Sequence, residues 1–292
     1  MRKQKGMDLR QALDQAMWHL QSGRPTEAEG LFRRILEFDP NQPVALHLLG
    51  VLLHQQGRSG EGMKLISQAL HFQPDYVAAH NNLGNVYREL GRLEEALDSY
   101  RKAVAVKPDH VQCHGNIGLI LQAMGKPEES IASFRKALEL APQAVEYHCN
   151  LAAVLKTQGL LEEAIGSYRR ALAIEPRLAV AHNSLGIVLQ KAGRLEEAEA
   201  SYREALAHQP DLVEAHRNLG NALELLGRFE ESEASYRQAL ALDPDFADAA
   251  GSLGSVLLAQ GRLEEGLQHE ERGFGMVSFD TERGVSFNKA SS

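Results

Sequence analysis

Apolar residues recur with the period of an α-helix along most of the chain, in short segments separated by turn residues. The apolar residues of one such segment share a single helical face: Ala79, Leu83, Val86, Tyr87 and Leu90. Gly91 follows and is typical of a helix end, because glycine adopts positive φ without a Cβ clash. A second apolar segment ends before Pro108, which cannot continue a helix. The pattern therefore predicts a pair of helices over 77–90 and 93–106.

This helix pair is repeated along the chain. One series of prolines has a spacing of 34 residues: Pro40, Pro74, Pro108, Pro142, Pro176, Pro210 and Pro244. A series of glycines has the same spacing: Gly23, Gly57, Gly91, Gly125, Gly159, Gly193, Gly227 and Gly261. Such self-similarity is the signature of a repeat architecture. We predict about eight units over 9–272, starting at 9, 43, 77, 111, 145, 179, 213 and 247. An irregular tail is predicted over 273–292.

Each unit also carries a recognisable consensus. In the third unit it reads Leu83-Gly84-x-x-Tyr87, then Ala96-x-x-x-Tyr100, Ala103 and Pro108. This pattern resembles the tetratricopeptide repeat (TPR) family. The resemblance implies an all-α, right-handed superhelical solenoid of tandem helix-turn-helix units. It also implies that the first helix of each unit lines the concave side.

Charge and composition exclude several functional classes. The formal net charge is −8, which disfavours nucleic-acid binding, because that needs a basic surface. No apolar run is long enough for a membrane span, and no apolar stretch of a secretory signal follows the basic N-terminus. The sequence contains none of the P-loop, HExxH or GxSxG motifs. We therefore expect a cytoplasmic, non-enzymatic protein without a cofactor.

Small residues and histidines recur inside the first helices. The series of Gly84, Gly118 and Gly186 predicts a close approach of the paired helices, because glycine in a helix otherwise costs stability. Gly62 and Gly266 are expected only to weaken their helices. The histidines are His80, His114, His148, His182 and His216, and they lie in different units. They are too far apart to share one metal ion, so we predict that each wedges between helices and bonds to a carbonyl group or water, and we predict no metal site.

Asparagine recurs at the sixth position of the units, where helix propensity does not favour it. An amide both donates and accepts hydrogen bonds, so it can hold a peptide main chain without reading side chains. Polar residues at nearby positions extend the strip. The candidate peptide-binding residues are Asn82, Asn85, Arg88, Asn116, Gln122, Asn150, Lys156, Asn183, Gln190, Asn218 and Asn221. A ladder of hydrogen bonds between asparagines that stiffens the array is an alternative role, and the two roles are compatible.

The asparagine series also resembles the repeat array of O-linked N-acetylglucosamine transferases and related bacterial repeat proteins. That resemblance implies that Asn82, Asn116, Asn150 and Asn218 hold a peptide backbone inside the superhelix. It leaves three functions open. The first is a scaffold that binds an extended peptide or partner segment in a concave groove. The others are the substrate-recognition arm of a transferase and a scaffold that self-associates through its ends or tail.

The tail departs from the repeat pattern. Two short alternating runs, 276–279 and 285–287, flank a turn-like segment and suggest a small β-hairpin. Three roles are open for this tail. It caps the last unit, begins a further domain, or folds back into the groove as a ligand mimic.

Overall fold

The computed structural model describes residues 8–274, 277–280 and 284–287. The chain divides into two compact units, Met1–Pro142 and Gln143–Ser292. Unit 1 contains α1 (Leu9–Gln21), α2 (Pro25–Phe38), α3 (Pro43–Gln55), α4 (Ser59–Phe72), α5 (Val77–Glu89), α6 (Leu93–Val106), α7 (Val111–Ala123) and α8 (Pro127–Leu140). Unit 2 contains α9 (Val145–Thr157), α10 (Leu161–Ile174), α11 (Ala179–Lys191), α12 (Leu195–His208), α13 (Val213–Leu225), α14 (Phe229–Leu242), α15 (Ala247–Ala259), α16 (Leu263–Phe274), β1 (Val277–Asp280) and β2 (Gly284–Phe287).

The predicted fold class, an array of tandem helix pairs, is confirmed. The second helix of the third repeat, α6, has the predicted bounds, and α5 ends at Glu89, one residue earlier than predicted. Leu90 is the C-cap residue of α5 and is 45% exposed, so the prediction that it faces the core is wrong. Its backbone has already left the helix, and the side chain no longer follows the apolar face.

Glycine ends the first helix of each repeat in the predicted way. The residues with positive φ, from 69° to 83°, are Gly23, Gly57, Gly91, Gly125, Gly159, Gly193, Gly227 and Gly261. Each directly follows the C-cap residue of a first helix. The chain then turns sharply enough for the second helix to pack back against the first. Within each of the two compact units, the second helix of a repeat also packs against the first helix of the following repeat.

The close approach predicted at the first-helix glycines is also confirmed. A Cβ atom on Gly84 would lie 2.6 Å from the Tyr100 ring, and one on Gly186 would lie 2.5 Å from the Tyr202 ring. Tyr100 and Tyr202 are fully buried. The glycine therefore makes room for an aromatic ring of the second helix.

Gly62 and Gly266, which were predicted to weaken their helices, also have a packing role. Gly62 in α4 faces Gly50 in α3, and a Cβ on Gly50 would lie 2.7 Å from the Gly62 carbonyl oxygen. Gly254 and Gly266 make the same kind of contact between α15 and α16, where a Cβ on Gly254 would lie 2.8 Å from the Gly266 carbonyl oxygen. In these two repeats Ile66 and Glu270 stand at the position of the aromatic ring, and the paired glycines bring the helix backbones together.

Salt bridges connect neighbouring second helices on the outer surface of each unit. Arg228 donates to Glu231 of its own repeat and to Glu199 of the preceding one, with the latter N···O distance at 2.7 Å. Arg262 does the same with Glu265 and Glu233. The paired glutamates at the starts of the second helices therefore serve as ion-pair partners as well as matching the helix dipole.

In unit 2, the end of the repeat pattern is still helical. Gly273 lies in α16, and a Cβ there would collide with the backbone of Gly251 in α15. Strands β1 and β2 pair antiparallel, with Val277 opposite Phe287. The other residues of the tail lie outside the described part of the chain. Among the described residues, no helix has both the length and the apolar character that crossing a bilayer requires.

Candidate functional site

The candidate residues all lie on first helices. In unit 1, Asn82, Asn85 and Arg88 lie on α5, and Asn116 and Gln122 lie on α7. In unit 2, Asn150 and Lys156 lie on α9, Asn183 and Gln190 lie on α11, and Asn218 and Asn221 lie on α13. Residues three apart on a helix are surface neighbours, which places Asn82 beside Asn85 and Asn218 beside Asn221. In unit 2, α11 contacts α13 directly, so their polar residues come together across repeats.

Asn82 bonds to a histidine of the preceding repeat. Its Nδ2 lies 2.8 Å from Nε2 of His47, and Nδ1 of His47 lies 3.0 Å from the Tyr76 hydroxyl oxygen. An amide nitrogen only donates, so Nε2 of His47 accepts and its proton is on Nδ1. His47 is 2% exposed, and burial lowers its pKa to about 4. The ring is therefore a neutral link between two repeats.

Asn218 makes the corresponding contact in unit 2. Its Nδ2 donates to Oδ1 of Asn183 at 2.9 Å, across one repeat, and Asn218 is only 5% exposed. Burial and this bond fit the stiffening role of the series. The surface available for a ligand at Asn218 is small.

Asn116 is held more loosely. Its Nδ2 lies 3.5 Å from Oδ1 of Asn81 and 3.4 Å from Oδ1 of Asn85, both long for hydrogen bonds. Among the described residues, the amide oxygen of Asn116 accepts no hydrogen bond. The side chain is partly exposed. Asn116 therefore has no short hydrogen bond, whereas Asn82 and Asn218 each commit Nδ2 to one.

Buried tyrosines orient other members of the strip. The Tyr100 hydroxyl donates to Oδ1 of Asn85 at 2.7 Å, and the Tyr202 hydroxyl donates to Oε1 of Gln190 at 3.0 Å. Burial raises the pKa of Tyr100 to about 12, so the hydroxyl keeps its proton and remains a donor. With its oxygen held in this way, each amide has its NH2 group fixed in direction.

The Tyr236 hydroxyl group donates to two acceptors. Its oxygen atom lies 2.6 Å from Oδ1 of Asn221 and 2.9 Å from Oε2 of Glu224. A hydroxyl has one proton, so the two acceptors share it. Glu224 adds an acidic group to the polar strip of α13, which the asparagine series alone did not include.

Asn150 lies in a depression between α9 and α11. The depression has a volume of about 690 Å³, and its lining includes Asn150, Tyr168, Val180 and Ser184. Cys149 also lines it, and burial raises the pKa of its thiol, which keeps it neutral and weakly nucleophilic. An apolar surface with a few polar groups is typical of a ligand-binding pocket.

The flanking candidates differ in exposure. Arg88 and Lys156 are half-buried, and Gln122 is exposed. The two cations lie two helical turns or less from Asn82 and Asn150 on their own helices. They supply positive charge beside the amides on an otherwise acidic chain.

Two partners of the asparagines, His47 and Asn81, were not among the predicted site residues, whereas Asn183 was predicted as a peptide-binding residue and is found as the partner of Asn218. His47, Asn81 and Asn183 lie at the fifth position of their repeats and contact the sixth position of the next repeat. The available signal was that a polar residue at the fifth position precedes an asparagine exactly one repeat and one residue later. The predicted histidine-to-carbonyl bond is confirmed for His80, His114, His182 and His216, whose Nε2 atoms lie 2.8–2.9 Å from a proline carbonyl oxygen.

Family models match the chain from residue 19 to residue 273. Models described as tetratricopeptide repeat match 19–83, 111–177, 146–209, 183–245 and 226–273, and a model described as TPR repeat matches 84–125. No curated protein matches the sequence significantly.

Solved structures with the same fold include several repeat proteins. The C-terminal part of a TPR repeat-containing protein from Cytophaga hutchinsonii is 16% identical, with a TM-score of 0.71, and covers 82% of this chain and 99% of that chain. YrrB, described as a TPR protein with an unusual peptide-binding site, is 21% identical with a TM-score of 0.57, covering 63% of this chain and 95% of its own. MamA is 24% identical with a TM-score of 0.54, and the match covers 56% of this chain and 95% of the MamA chain. At these identities, the similarity shows the fold alone.

Proposed function

Because the chain belongs to the tetratricopeptide repeat family, we propose that it is a non-catalytic protein-interaction scaffold that binds an extended peptide segment. The binding surface is the polar face of the first helices in each unit. The self-association alternative makes no use of the contacts described above, and the transferase-arm alternative would use the same asparagines to hold a peptide.

The observation that carries the proposal is a difference in hydrogen bonding between members of the asparagine series. Asn82 and Asn218 bond to the preceding repeat, and they stiffen the array. Asn116 makes only long contacts, and Asn150 lines an open depression. Asn116 in unit 1 and Asn150 in unit 2 are therefore each proposed to hold a ligand within their own unit, and Asn82 and Asn218 to fix the spacing of the helices there.

Chemistry favours a peptide main chain as the ligand. An amide offers one acceptor and two donors, which matches the alternating N–H and C=O groups of an extended chain. The apolar lining around Asn150, which includes Val180 and Tyr168, accommodates a ligand side chain. Asn85 and Asn221 are pre-oriented by tyrosine hydroxyls, which reduces the entropy lost when they bind.

The test starts from a peptide selected by the wild-type protein from a displayed random library. Its affinity is then measured by fluorescence anisotropy for Asn116→Ala, Asn150→Ala and the control Asn218→Ala. We expect the variant in the unit that binds the peptide to weaken binding by about threefold to tenfold at unchanged melting temperature, since one hydrogen bond is worth about 0.5–1.5 kcal/mol. Asn218→Ala should lower the melting temperature and change the affinity less.

Two results would contradict the proposal. One is a selected peptide that binds both Asn116→Ala and Asn150→Ala as tightly as the wild type. The other is a loss of stability in those two variants as large as in Asn218→Ala, which would assign the whole series to stiffening. Asn150→Ser is a conservative companion variant, because Ser184 occupies the same position in the following repeat.

A further inference from the structure

The sixth repeat departs from the others at two positions of its second helix, α12. Glu204 is the one acidic residue at its position. The other repeats have Arg34, Gln68, Lys102, Lys136, Arg170, Gln238 and Arg272 there. His208 stands where every other repeat has an apolar residue: Phe38, Phe72, Val106, Leu140, Ile174, Leu242 and Met276. The repeats serve as an internal comparison, and neither departure is explained by packing of the helix pair.

The structure brings these two residues together with His182 of α11. One ligand atom from each of His182, Glu204 and His208 lies within 4.8 Å of the other two. The two imidazole rings have centroids 5.7 Å apart, and Nε2 of His208 lies 3.9 Å from Oε2 of Glu204. Within the described part of the chain, this is the group of three such side chains that meets the geometry for a metal ion.

A hydrogen bond to the backbone prepares His182 as a ligand. Its Nε2 lies 2.9 Å from the carbonyl oxygen of Pro176, which can only accept. The proton is therefore on Nε2, and Nδ1 carries the free lone pair. Metal-binding histidines commonly donate their other N–H to a carbonyl oxygen in this way, which fixes the tautomer and the ring orientation.

We propose that His182, Glu204 and His208 form a binding site for a divalent transition-metal ion, with Zn²⁺ as the best match. Two imidazoles and one carboxylate are a zinc donor set, whereas Mg²⁺ and Ca²⁺ prefer sites made of oxygen ligands. Glu204 and His208 are four residues apart on α12, so they project from the same side of the helix. Water or a ligand from a partner completes the tetrahedron.

Binding requires only small side-chain movements. Bonds of about 2.0–2.1 Å at tetrahedral angles place ligand atoms about 3.4 Å apart, closer than the present separations. Glu204 and His208 are exposed, so their side chains can rotate inward without disturbing the core. The bound ion then links α11 to α12.

The sequence argument against a metal compared histidines of different repeats, and it remains correct for those. His182 and His208 belong to one repeat and to facing helices, which the register of the histidine series does not show. Glu204 and His208 lie on the second helix and His182 on the first, and none of the three belongs to the asparagine strip, so the metal proposal does not rest on the proposed peptide binding.

The test is a titration of the metal-free full-length protein with ZnCl2 by isothermal calorimetry, with MgCl2 as the control ion. We expect one saturable Zn²⁺ site per chain, no comparable Mg²⁺ binding, and a rise in melting temperature with Zn²⁺. Glu204→Gln and His208→Leu introduce the residues of the seventh repeat, so the fold tolerates them. Each should weaken Zn²⁺ binding at least tenfold. Unchanged Zn²⁺ affinity in both variants, or no saturable binding by the wild type, would overturn the proposal.

A gain of binding provides a second, independent test. His216 of the seventh repeat also has Nε2 bonded to a proline carbonyl oxygen, that of Pro210, at 2.9 Å. The double variant Gln238→Glu with Leu242→His therefore reproduces all three ligands in that repeat. We expect it to bind two Zn²⁺ ions per chain. A stoichiometry that stays at one would show that this arrangement of residues does not create a site.

Discussion

At the scale of single residues, two glycines of unit 2 with the same intrinsic helix propensity have opposite roles. A Cβ on Gly186 in α11 would lie 2.5 Å from the Tyr202 ring, which is fully buried. A Cβ on Gly166 in α10 would meet no atom within 4 Å. The sequence places both glycines inside helices. They differ in that glycine recurs with a 34-residue spacing at the position of Gly186.

Alanine at these two positions should therefore change stability in opposite directions. Gly186→Ala should lower the free energy of unfolding by about 1–3 kcal/mol, because a buried ring has to move. Gly166→Ala should raise it by about 0.5–1 kcal/mol, because alanine is the better helix former and the space is open. Urea unfolding followed by circular dichroism measures both. Equal effects of the two substitutions would refute the contact between Gly186 and Tyr202.

The buried histidine of the asparagine series predicts a pH dependence of stability. Burial lowers the pKa of His47 from its ordinary value of 6.5 to about 4. Between those values, the unfolded chain binds a proton that the folded chain does not. His47 therefore contributes stability that is fully present above pH 6.5 and is lost as the pH falls toward 4, to a total of about 3 kcal/mol.

His47→Asn isolates this contribution, because asparagine occupies the equivalent position in the third repeat at Asn81. The free energy of unfolding of the wild type should fall more steeply than that of the variant from pH 6.5 to pH 4. The difference between the two curves removes the titration of the carboxylates that both proteins share. Parallel curves over this range would show that His47 is protonated in the folded protein.

At the scale of helices, the sequence predicted boundaries better than contacts. Gly91 and Pro108 are local signals, and α5 and α6 end at or next to the predicted residues because backbone geometry alone decides there. The hydrogen-bond partner of Asn82, in contrast, could not be predicted from a local signal. Its bond to His47 depends on how two first helices are rotated against each other. The packing role of Gly62 against Gly50 was not predicted for the same reason.

The salt bridges between second helices give a prediction at this scale. Arg228→Leu removes the contacts to Glu231 and Glu199, and leucine is native at the equivalent position in the fifth repeat, Leu160. We expect a small decrease in melting temperature at low salt. The difference from the wild type should largely disappear in 1 M NaCl, where the screening length is about 3 Å. A difference that is independent of salt would assign the loss to packing of the arginine side chain.

At the scale of the whole chain, contacts are local in sequence. Within each compact unit, helices pack against the next helix along the chain, and first helices such as α11 and α13 touch across one repeat. A repeat array of this kind gains stability from each helix pair and from its nearest neighbours. The sequence predicted this organisation from its period, because every repeat carries the same apolar faces. It could not predict the compact unit Met1–Pro142, since the glycine and proline series continue unchanged past residue 142.

The unit Met1–Pro142 should therefore fold when it is produced alone. It keeps complete helix pairs, including the fully buried core residues Phe32, Tyr100 and Phe134 and their contacts within the unit. We expect a helical circular dichroism spectrum and cooperative melting at a lower temperature than the full chain, because fewer neighbour interactions remain. A fragment that ends at Lys126 is the control. It lacks α8, which carries Phe134, so Gly118 of α7 loses its contact with that ring. This shorter fragment should therefore melt at a lower temperature than Met1–Pro142. A largely unfolded Met1–Pro142 fragment would show that stability is not local, and equal melting of the two fragments would show that α8 contributes nothing to it.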